Sequence, residues 1–92
     1  MNDTATMVDS VRRVLGKAGF SRAAVREGGI GLGGYVVTPA EGRVLVQWKA
    51  PDMVPADLAA GYRLNMLAQY ARILAAAGFR VANNGVCLTA TR

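Results

Sequence analysis

The sequence predicts an α+β domain in the order α-β-β-β-α-β-β, two helices packed on one face of an antiparallel sheet. Three observations carry this. Apolar residues recur at helical spacing over 7–18 and over 56–77. Between and after those stretches, apolar and polar residues alternate at strand spacing. Turn formers punctuate the alternation at Pro39-Ala40-Glu41-Gly42 and at Asn84-Gly85.

The first helix is expected to start at Thr6, with Asp9 three residues on completing a capping box. Met7, Val8, Val11, Val14, Leu15 and Ala18 then share one side of the wheel, and Arg12, Arg13 and Lys17 take the other. Gly19 suits the left-handed position after the helix, which would bring Phe20 against Leu15. A short strand follows over 23–27. Residues 34–38 and 43–49 form the next hairpin, with Thr38 opposite Arg43 and Gly33 opposite Trp48. In that register Tyr35, Val37, Val44, Val46 and Trp48 share the inner face, and Val36, Arg43, Leu45, Gln47 and Lys49 share the outer one.

Pro55 suits the first turn of a second helix over 56–77, with Asp57 near its positive end. At about 33 Å this helix outreaches strands of about 17–20 Å. It therefore either overhangs the sheet or breaks near Gly61. Gly78 and Phe79 close it as Gly19 and Phe20 close the first. A last hairpin pairs 79–83 with 86–90 across Asn84-Gly85, and places Phe79, Val81, Val86, Leu88 and Ala90 inward. The stretches 13–20 and 72–79 align without gaps, as a duplicated unit or as one closure used twice.

Composition limits the chemistry. Ninety-two residues, 52% hydrophobic and 18% charged, are enough for one core and too apolar for a disordered chain. Residues 1–5 are expected to be a flexible N-terminus and 6–92 a single domain. There is no histidine, one cysteine and six carboxylates, so Ser-His and Cys-His pairs and a zinc site have no ligands to draw on. Neither an enzyme nor a cofactor is expected. Cys87 has no partner for a disulfide within the chain and reads as a small packing residue. A polar N-terminus without an apolar leader, and the lack of an 18-residue apolar run, predict a cytoplasmic protein that does not enter the membrane.

One motif invites a nucleotide reading. Gly29-Ile30-Gly31-Leu32-Gly33-Gly34 fits G-x-G-x-x-G. A dinucleotide site needs a helix at the last glycine, and here a strand is expected; a kinase site needs a catalytic loop and second lobe. A glycine-rich bend beside Trp48 is the better account, with phosphate binding by a backbone nest as a lesser possibility.

Three further stretches resemble a loose group of small, uncharacterised actinobacterial proteins met near integrative elements and phages. They are Gly34-Tyr35-Val36-Val37, the run from Val44 to Trp48, and the run from Tyr70 to Val81 followed by Val86-Cys87-Leu88. The resemblance covers about residues 34–90 and implies no activity or site residue. At the level of element order the chain is also similar to double-stranded RNA-binding domains, which carry lysines where this chain has Pro55-Ala56-Asp57. Secretion chaperones of the type III class look similar too, but add a third helix.

The functional expectation is a small non-enzymatic interaction module, a homodimer that also binds protein. The overhanging helix offers Leu58, Tyr62, Arg63 and Met66 as its docking residues, because Arg63 projects on the apolar side of the wheel. The alternative is nucleic-acid binding by the basic residues behind the +5 net charge: Arg12, Arg13 and Lys17 on the first helix, and Arg43, Lys49 and Arg80 on the open sheet face.

Overall fold

The computed structural model describes residues 3–25 and 31–92. Helix α1 (Asp3–Lys17) starts before Thr6, which lies inside its first turn and does not cap it. Three-residue spacing fits a capping box and also two neighbours on a helix surface; Thr6 and Asp9 are both exposed. Met7, Val8, Val11 and Leu15 are buried as the wheel predicts, whereas Ala18, beyond the last helical residue, is exposed. Helix α2 (Ala56–Ala76) runs without a break through Gly61, so it overhangs the sheet. Pro55 stands one place earlier than expected, as an extended N-cap with φ −60° and ψ 146°.

The two helices end alike. Gly19 and Gly78 have φ values of 94° and 98°. The Phe20 N–H donates to the Leu15 carbonyl at 3.1 Å, and the Phe79 N–H donates to that of Leu74 at 3.1 Å. Each is a Schellman closure. The internal echo is therefore one closure used twice, because the chain beyond the two phenylalanines follows different paths.

After Phe79 come β5 (Arg80–Asn83) and β6 (Leu88–Thr91), which join β3 (Gly34–Ala40) and β4 (Arg43–Lys49) in an antiparallel sheet of order β3-β4-β6-β5. The strand expected over 23–27 is not a fifth member. Only β1 (Ala24–Val25) forms there, paired with β2 (Gly31–Leu32) in a separate ladder; Ala23 is outside the strand, and residues 26–27 lie outside the described residues. The stretch just before β1 touches the edge of β3 through a parallel bridge between Arg22 and Tyr35. There the Tyr35 N–H donates to the Ser21 carbonyl at 3.0 Å, and the Ala23 N–H donates to the Tyr35 carbonyl at 2.9 Å.

Gly34 makes this approach possible. A Cβ at that position would collide with the Ser21 carbonyl oxygen and the Ala23 nitrogen. Gly33 does the same for Pro51, and not for Trp48 as expected, since a Cβ there would run into the proline ring. The glycine segment that can be described is thus a site of close backbone crossing.

Both hairpins are displaced from the expected register by two residues. Ala40 pairs with Arg43, so the first turn is only Glu41-Gly42, and Tyr35 faces Trp48. Asn83 pairs with Leu88, so the second loop holds four residues and Val86 is outside the strand, 63% exposed. An even displacement leaves the side chains that remain within the strands on their predicted faces, whereas Val86, expected inward, leaves its strand. Tyr35, Val37, Val44, Val46, Leu88 and Ala90 are buried on the inner face beneath both helices, in one cluster with Leu15, Leu67, Tyr70 and Leu74.

Candidate protein-docking surface

The second loop shapes the end of the sheet. Asn84 Oδ1 accepts hydrogen bonds from the N–H groups of Val86 and Cys87 at 2.8 and 2.9 Å, and Asn83 Oδ1 accepts one from Gly85 at 2.9 Å. These side-chain acceptors replace strand pairing, so β6 begins only at Leu88, opposite Val46. Gln47, Trp48 and Lys49 consequently extend past β6. The vacated space is a groove of roughly 410 Å³ lined by Val36, Gln47, Trp48, Lys49, Arg63 and Val86.

Arg63 enters this groove for a geometric reason. It lies one turn after Ala59 and one turn before Leu67, both buried, on the line of α2 that faces the sheet. Leu67 finds sheet beneath it, and Arg63 finds the groove. The residue is half-buried, as expected of a cation on an apolar line. Leu58 and Tyr62, one turn apart on one flank of α2, are 53% and 55% exposed. Leu64, on the other flank, is also exposed and lies beside Gly85. With Met53 and Val86 these are the large apolar side chains exposed among the described residues, and all belong to this end of the molecule.

Met66 differs from the other three predicted docking residues. It is half-buried against the core and lines a smaller recess, roughly 270 Å³, with Phe20, Trp48 and Tyr70. Phe20 meets Tyr70 edge to face at 4.9 Å between ring centroids, and Tyr35 meets Tyr70 at 6.3 Å. Burial, assisted by the nearby Tyr35 phenol, raises the Tyr70 pKa to about 12.

No family model, curated protein or solved structure matches this chain.

The basic residues lie in separate places. Arg13 and Lys17 are exposed on α1, while Arg12 is half-buried, with its Nε unpartnered and its carbonyl accepting from the Tyr35 hydroxyl at 3.4 Å. Helix α1 covers the inner face of the sheet. Arg43 and Arg80 are exposed at one end of the outer face, on either side of Thr91, and Lys49 is six residues further along β4, about 20 Å away. Cys87 is half-buried, and Asn84 Nδ2 donates to its sulfur at 3.9 Å. Among the described residues no helix is long and apolar enough to cross a membrane.

Sequence reasoning placed Leu58, Tyr62 and Arg63 on this surface but left out Leu64, Val86 and Trp48. The signal for Val86 and Trp48 is the Asn83-Asn84 pair, and Leu64 lies beside the same loop at Gly85. Two consecutive Asx acceptors favour a longer loop over a two-residue turn, and the longer loop exposes Val86 and uncovers Trp48.

Proposed function

We propose that this protein is a small non-enzymatic, cytoplasmic interaction module, a homodimer that also binds other protein through the overhanging half of α2. The observation that carries the reading is the collection of Met53, Leu58, Tyr62, Leu64 and Val86 at one end, each more than half exposed. Exposed large side chains scattered singly are ordinary, but several gathered at one end of a small domain favour association. The Leu58–Tyr62 ridge fits a second copy, since Gly61 beside it has open space around its Cα and permits close helix approach. The histidine-free composition supports binding over catalysis.

Sedimentation equilibrium at micromolar concentration tests this. The expected result is a dimer for the parent chain and a monomer for a Leu58→Ser, Tyr62→Ser double variant of unchanged circular dichroism. A parent chain that stays monomeric up to about 100 µM, a concentration corresponding to only ~5.5 kcal/mol of association, removes the homodimer.

A further inference from the structure

We infer that the groove beside Trp48 receives an acidic, leucine-bearing segment of a partner protein, with Arg63 and Lys49 holding its carboxylates. This rests on the protein-docking reading above and names the chemistry of the partner. Among the described residues the side chains of Arg63 and Lys49 take part in no hydrogen bond or ion pair. Yet Arg63 is half-buried, on a line of α2 otherwise occupied by apolar side chains. A guanidinium so placed gains most from a carboxylate that meets it in a bidentate pair away from bulk water. Among the described residues that line the groove none is acidic, and its other members offer apolar surface from Val36, Trp48 and Val86. It thus combines cations with apolar contact, and its complement alternates carboxylates with apolar side chains.

A second copy is the wrong occupant for the groove. The chain carries +5, so another copy brings net repulsion to two unpaired cations. Nucleic acid fits less well than peptide. Trp48 is packed against the core, leaving only part of the indole for a base to stack on. The cations of the outer face do not continue as a track, because Arg43 and Arg80 are at the far end. The exposed Leu64 and Val86 at the groove's margin are matched by apolar side chains and not by phosphates.

Trp48 is the only tryptophan, so its fluorescence reports the groove directly. The full chain is titrated with an acetylated hexapeptide alternating glutamate and leucine, with its glutamine-for-glutamate counterpart, and with a ten-nucleotide oligothymidylate, at about 50 mM salt. The expected result is saturable binding of the glutamate peptide, at least about tenfold tighter than the glutamine peptide, and a similar loss in Arg63→Gln. Lys49→Gln, at an exposed site, is a second variant that leaves the fold intact and is expected to weaken binding in the same direction. Equal binding of both peptides, no response to any probe at millimolar concentration, or indifference to both substitutions overturns the inference. Tighter binding of the oligonucleotide that depends on Arg63 overturns it in favour of nucleic acid. If the parent chain dimerises through α2 but ignores the acidic peptide, the groove assignment falls while the docking role of the helix stands.

Discussion

Gly34 and Gly61 show how one residue type serves opposite purposes. At Gly34 the missing Cβ is what lets Ser21 and Ala23 bond to Tyr35. Gly34→Ala is therefore expected to destabilise by at least about 2 kcal/mol in urea unfolding, because the crossing strand must move away. Gly61 has nothing within 4 Å of where a Cβ would be, and it occupies a helix interior. Gly61→Ala is expected to stabilise the monomer by about 0.5–1 kcal/mol, the ordinary helix-propensity difference. Tyr70 makes a pH prediction. Its neutral phenol is favoured in the fold, with a pKa of about 12 against 10 when unfolded, so its contribution is complete below pH 10 and disappears as the pH rises from 10 through 12. The full effect is about 2–3 kcal/mol. Thermal unfolding of the parent chain should accordingly fall more steeply above pH 10 than that of Tyr70→Phe.

The elements themselves were legible because periodicity depends on which residues are apolar, and burial acts on the same property. Both helices, both closures and the inner face of the sheet follow from that pattern. Register was less legible. Face parity survives a slip of two, so the hydrophobic pattern cannot distinguish Thr38 opposite Arg43 from Ala40 opposite Arg43; turn chemistry must decide. In the first hairpin Pro39 is tolerated within the edge strand, which shortens the turn to Glu41-Gly42. In the second, Asn84 supplies acceptors that make a longer loop worth more than two further strand pairs. Asn84→Ala removes the acceptor for the Val86 and Cys87 N–H groups. The expected outcome is a loss of about 1 kcal/mol and faster hydrogen exchange at those two amides, with exchange in β4 unchanged. The groove was illegible for the same reason, since it exists only because that loop stops β6 at Leu88.

For the molecule as a whole, the layered arrangement divides labour between the halves of α2. The second half, through Leu67, Tyr70 and Leu74, joins α1 and the sheet in one core; the first half carries the exposed side chains. Leu67→Ala is expected to cost about 2–5 kcal/mol in urea unfolding, whereas Leu58→Ala should change monomer stability by less than about 0.5 kcal/mol. The net charge bears on the whole molecule in a related way: its cations are dispersed over α1, α2, the outer sheet face, the groove and the loop before β1, so no single basic face carries it. The bridge at Tyr35 has a consequence for assembly. Along the outer rim of β3, the Tyr35 amide is already occupied and Pro39 has no N–H, so a newcomer strand is offered at most the N–H of Val37. The sheet can lengthen only across β5, on its opposite side. Edge-to-edge pairing of two molecules across β5 would use the open rim of each, which favours a closed pair over an open-ended run of sheets.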